Sequence, residues 1–142
     1  MVKNTYAHVV MNANNANNTH IGESSNANNA EEEEIPMTSN LHPLYLQNID
    51  HPGLILITKK LTGSENFGPW KRSLTIALSA KHKLGIIDGS VPRPEEGSML
   101  RSQWDRVNDM VISWILNTVS DEISDGMDFV HSAKDVWDEL TD

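Results

Sequence analysis

Large apolar side chains recur at helical spacing in three stretches of this chain. In the first, Phe67, Trp70, Leu74, Ala77 and Leu78 fall on one face. Asn66 can cap that helix, and Pro69 is tolerated in a first turn whose N–H groups have no helical partner. Lys81, His82 and Lys83 suit the negative end of the helix dipole, and Gly85 reads as its stop. In the second stretch Leu100, Trp104, Val107, Val111, Trp114, Ile115 and Thr118 keep one continuous face, with Ser98 as a cap. Met110, Ile112 and Leu116 widen that face, so the helix is either central or in contact with a partner. In the third, Ala133, Val136, Trp137 and Leu140 follow Ser132, with Asp135 at the capping-box position. A short turn or helix from Ser120 through Ile123, ending near Gly126, precedes it.

A different pattern marks residues 54–58, Leu-Ile-Leu-Ile-Thr. This short β-branched run after the turn His51-Pro52-Gly53 predicts a strand. Leu61-Thr62-Gly63 closes it, and Ile86-Ile87 is the candidate partner. Asp88-Gly89 reads as a turn, and Pro92 and Pro94 as a stiff connector. The expected fold is mainly α: a small helical domain with a short β-strand or hairpin near its start, preceded by a disordered N-terminal tail. The tail is residues 1–40 and the domain residues 41–142.

Composition supports that division. The tail holds Asn/Ala tracts at 12–18 and 26–29, then four glutamates at 31–34 and Pro36, with few large apolar groups. Such a segment cannot offset the entropy cost of ordering. The 142-residue chain carries a formal charge of -9 from 11 basic and 20 acidic residues. Setting aside Lys3 and the five tail glutamates leaves ten basic and fifteen acidic residues, a balance of -5. Phosphate binding depends on clustered Lys and Arg, so direct nucleic-acid binding is disfavoured beyond a small local patch. With no cysteine, disulfides, thiol catalysis and cysteine-ligated zinc are excluded. Neither a signal peptide nor a membrane-spanning run is visible in the sequence, which points to a cytoplasmic chain without membrane contact.

Candidate chemistry fails residue by residue. His8, His20, His42, His51, His82 and His131 show no metal-ligand spacing. Gly63 and Gly68 have phosphate-loop spacing but are followed by Pro69-Trp70, not Lys-Ser or Lys-Thr. Asp88-Gly89-Ser90 has the residues of an aspartic-protease triplet in the wrong order. Asp105 and Asp109, like Asp121 and Asp125, are one helical turn apart on polar faces, and Arg101 gives Asp105 an i, i+4 partner. No serine has a nucleophile setting. No enzyme, cofactor, metal or small-molecule substrate is expected. The four tryptophans are read first as core, since each can remove roughly 150–250 Å² from water. For Trp114 and Trp137 the alternative is an interface anchor.

Residues 43–140 resemble the N-terminal Gag domain of plant Copia-type retrotransposons. The resemblance is carried, in order, by Pro52-Gly53 with the apolar run after it, by Leu61-Thr62-Gly63 with Asn66, Phe67 and Trp70, and by Ala77-Leu78-Ser79-Ala80-Lys81 through Leu84-Gly85 to Asp88-Gly89-Ser90 and Pro92. It continues in Trp104 with Asn108-Asp109-Met110-Val111, in Ser113-Trp114-Ile115-Leu116-Asn117, and in Ala133 with Val136-Trp137. It implies a non-catalytic domain that assembles capsid-like particles by self-association or contact with other Gag chains. The family's zinc knuckle has no cysteines here to carry it, and the domain is expected to be truncated at its C-terminus. The alternatives are a nucleic-acid-binding accessory protein and a non-functional truncated relic.

Overall fold

The computed structural model describes residues 34–142, so the expected tail lies almost wholly outside the described residues. A 3-10 turn, Ser64–Asn66, leads into α1, Phe67–Ala80. Four further helices follow: α2, Leu84–Asp88; α3, Arg101–Leu116; α4, Asp121–Asp125; and α5, Ala133–Thr141. α5 packs on α2 and α3, and α1 packs on α2. Residues 34–63 form an arm without a helix or strand apart from a single bridging position at Leu61.

The predicted periodicities become one core. Trp70, Leu74 and Leu78 from α1 meet Trp104, Val107, Val111, Trp114 and Ile115 from α3 and Ala133 and Val136 from α5. The wide apolar surface of α3 is absorbed internally: Met110 is buried, and Ile112 and Leu116 are half-buried against the core. Trp137 finds its partner in Trp70, their rings stacked with centroids 5.7 Å apart.

The expected strand is absent. Residues 54–58 are irregular, with bends at Leu56 and Thr58, and among the described residues there is no β-strand. A ladder needs a partner backbone, and Ile86-Ile87 instead lie buried inside α2. Leu54, Leu56 and Ile57 are apolar because they pack against the helical core, while Ile55 is 55% exposed. The one extended contact is an isolated parallel bridge between Leu61 and Val119. There the Leu61 N–H donates to the Thr118 carbonyl at 2.8 Å, and the Ser120 N–H donates to the Leu61 carbonyl at 2.9 Å.

The end of α1 also differs from expectation. Gly85 is not the stop. His82 takes the left-handed conformation, φ 56°. Its N–H donates to the Ser79 carbonyl and the Lys83 N–H reaches back to the Leu78 carbonyl at 2.9 Å, closing a Schellman motif with histidine where glycine is usual. Gly85 lies within α2 for reasons of space, because a Cβ there would sit 2.5 Å from Val91 Cγ2. Gly89, φ 82°, supplies the left-handed residue after α2. Ser120 and Ser132 cap α4 and α5, accepting from the N–H groups of Ile123 and Asp135. Ser98 lies before α3 and accepts from the Leu100 N–H.

Candidate functional site

The motif residues do not converge on one cavity. They tie the arm and the connectors to the helices. Indole N–H groups buried in a core need acceptors, and peptide carbonyls outside regular structure need donors. Three of the four tryptophans meet both needs at once. Trp114 donates to the His51 carbonyl at 2.8 Å. Trp70 donates to the Thr118 carbonyl at 3.0 Å and to its hydroxyl at 3.1 Å. Trp104 donates to the Val91 carbonyl at 2.9 Å.

Asparagines do the same work from the polar side. Asn117 Nδ2 donates to the Pro52 carbonyl at 2.7 Å, so the exposed turn at Pro52 and Gly53 is held to the end of α3. Asn66 does not cap α1 with its side chain. Its Oδ1 accepts from the N–H groups of Thr62 and Gly63, and its Nδ2 donates to the Lys60 carbonyl at 2.8 Å. Asn108, buried in α3, accepts from the Ala133 N–H at 2.8 Å and donates to the His131 carbonyl, which fixes the start of α5. Asp88 Oδ1 accepts from the Ser90 N–H at 2.7 Å, building the turn through Gly89. Leu61, Leu78, Val111 and Ile115 are buried, whereas Phe67, Ala77, Leu84 and Leu116 are half-buried.

A second group of ties was not visible in the spacing of residues. Lys83 is only 2% exposed, and its ammonium donates to the carbonyls of Tyr45 at 2.7 Å and Lys81 at 3.1 Å. Burial pushes its pKa down to about 8, against the opposing pull of Asp50. Asp50 pairs with Lys81 at 2.6 Å. The Lys81 ammonium also lies 5.6 Å from the Trp114 ring centroid. His42 is buried, with Nδ1 accepting from the Leu44 N–H; burial, then the Lys83 charge, lowers its pKa. A lysine beside a helix end reads in sequence as a solvated cation, and only the arm folding over it gives the burial. Asp105 pairs with Arg93 through two hydrogen bonds, at 2.8 and 2.9 Å, and not with Arg101 as its i, i+4 spacing suggested.

Two of the surface hollows border α1. One, of about 420 Å³, opens between α1 and the arm and is walled by Leu56, Ile57, Pro69 and Trp70, with Lys59 and Asn66 at its polar side. The other is a shallow depression over Lys71, Arg72, Thr75 and Ile76 on the outside of α1. Among the described residues no group of three His, Cys, Asp or Glu is placed to hold a metal ion. None of their helices is long and apolar enough to cross a membrane.

The polar motif groups of this helical framework are engaged in internal hydrogen bonds. Residues 47–95 match the family model described as the Gag-polypeptide of LTR copia-type. That span takes in the Pro52-Gly53 turn, α1 and α2 and ends in the connector before α3. No curated protein matches the chain, and no solved structure does.

Proposed function

We propose that residues 41–142 act as a non-enzymatic assembly domain of a plant Copia-type retrotransposon Gag, building a capsid-like particle in the cytoplasm through contacts with other copies or other Gag chains. Residues 1–40 serve as its spacer. The observation that supports this reading most is the match of residues 47–95 to Copia-type Gag, together with the internal role of the motif groups on the same span. With those groups facing inward, the outward chemistry is left to the exposed surface. Exposed apolar residues that the core does not use, among them Ile76 at 57% and Phe129 at 59%, provide material for contacts.

Sedimentation velocity of the full chain over a wide concentration range tests the proposal. Concentration-dependent association, strengthened by a longer Copia-type Gag, is the expected result. A strict monomer at high concentration that ignores longer Gag chains overturns it. Steeply salt-dependent RNA binding without self-association would instead support the nucleic-acid accessory reading.

A further inference from the structure

We infer that two copies of this chain pair reciprocally, with residues 121–130 of each copy docking at the cationic cleft beside Trp70 of the other. The inference rests on the assembly reading above and names the surfaces involved.

The cleft has the composition of a peptide-binding hollow. Leu56, Ile57, Pro69 and Trp70 supply an apolar floor of a size that admits a large side chain. Its surroundings are basic in an otherwise acidic protein. Lys59 lines it, Lys60 adjoins it in sequence, and Lys71 and Arg72 follow Trp70 on α1. Glu65 is the one carboxylate between residues 56 and 73. The ion pairs among the described residues involve Lys81, Arg93 and Lys134, so none of these four cations is in an ion pair there, though the Lys71 ammonium lies 5.9 Å from the Phe67 ring centroid.

The complement lies in the same chain. Residues 121–130 carry Asp121, Glu122, Asp125 and Asp128 and no basic residue. All four carboxylates are exposed and unpaired among the described residues, and Phe129 stands 59% exposed beside them. An exposed aromatic surrounded by unpaired like charge is the chemistry that a cationic, apolar cleft would take. Two other exposed apolar points lie beside acidic residues, but Met99 next to Glu95 and Glu96 is flanked by Arg93 and Arg101, and Ile49 is next to Asp50, which pairs with Lys81, so neither has the same charge bias.

A second copy is the favoured occupant for two reasons. The cleft and Phe129 are both open within one chain, so the contact is not made internally. The Leu61–Val119 bridge also joins the strand of chain leading from the cleft to the one leading into the acidic segment. Surfaces tethered at one bridge can be exchanged in pairs about a two-fold axis, each cleft receiving the other copy's segment.

The test uses the full chain and two charge-reversal variants, K71E/R72E on α1 next to the cleft and E122K/D125K in the segment. Each alone should weaken self-association by at least about tenfold while keeping the wild-type circular dichroism spectrum. An equimolar mixture of the two should regain wild-type association, because the mixed dimer restores both contacts. Phe129→Ala should also weaken it, and Met99→Ala should leave it unchanged. If wild type associates but the reversals do not weaken it, or the mixture stays as weak as its components, the docking is wrong and the assembly reading stands. A monomeric wild type overturns both. RNA retention lost in K71E/R72E, with no self-association, would assign the cleft to nucleic acid and overturn the inference.

Discussion

The helical body and the arm that wraps it are stabilised by different means. In α1, α3 and α5 the backbone satisfies itself, and the helices need only bury one apolar face. The arm, residues 34–63, has almost no ladder of its own: local turns satisfy the carbonyls of Pro36, Ser39, His42, Gln47 and His51, but the contacts that hold it to the body come from donors outside it. Trp114 and Asn117 hold the 51–54 turn, Lys83 holds Tyr45, and Gln103 donates to the Leu44 carbonyl at 2.8 Å. The arm's ties are few, directional and far apart in sequence, so losing one donor releases a specific stretch of the arm; without Trp114 the His51 carbonyl keeps only its local bond from the Leu54 N–H.

Changes at the junction of the two regions should therefore have the largest effects. Trp114 is fully buried and also carries a tie. Trp114→Ala should lose about 3–5 kcal/mol of stability in urea denaturation. Trp114→Phe keeps most of the burial and removes the donor, and should cost about 1–3 kcal/mol.

Lys83 makes the comparison sensitive to pH. Its folded pKa of about 8 lies below the ordinary 10.5, so between those values the unfolded chain binds the extra proton. Stability should rise with pH across that window, by an amount on the order of 3 kcal/mol at most. The gain is complete above 10.5 and is lost as pH falls through about 8. Comparing denaturation of wild type and Lys83→Met across that range isolates the effect, since the other titrations are shared. His42 acts with the same sign at lower pH: its depressed pKa means that stability falls as pH drops below 6.5.

Two backbone positions probe the body without touching the arm's ties. Gly85→Ala brings a methyl to 2.5 Å from Val91 Cγ2 and should cost about 1–3 kcal/mol by thermal melting. His82→Gly relieves the left-handed conformation at the end of α1 and should raise stability by up to about 1 kcal/mol. The smallest effect belongs to Arg93→Ala. Its partner Asp105 is exposed with it, and the melting temperature should not move measurably.

The body was legible in sequence and the arm was not, for the same physical reason. The period of Trp104, Val107, Val111 and Trp114 is a local signal, and a helix realises it locally. So are Ser120 and Ser132, whose side chains act within three residues. Residues 54–58 have strand composition, but a strand exists only with a partner, and Ile86-Ile87 had been recruited to α2. Lys83 is ambiguous for a related reason: its burial depends on Tyr45 and the arm arriving from far away in the chain. Gly85 shows a third limit. Glycine after an apolar helix suggests a stop, and only the position of Val91 reveals a need for space. The motif residues were likewise visible as a set, yet their roles as donors to particular carbonyls required the fold.

Hydrogen exchange followed by mass spectrometry, comparing wild type with Trp114→Phe, tests most directly whether helical side chains hold the arm. Faster exchange confined to residues 44–63, with α1, α3 and α5 keeping wild-type protection, is the predicted result. A uniform loss of protection through the helices, or no change in the arm, would contradict it.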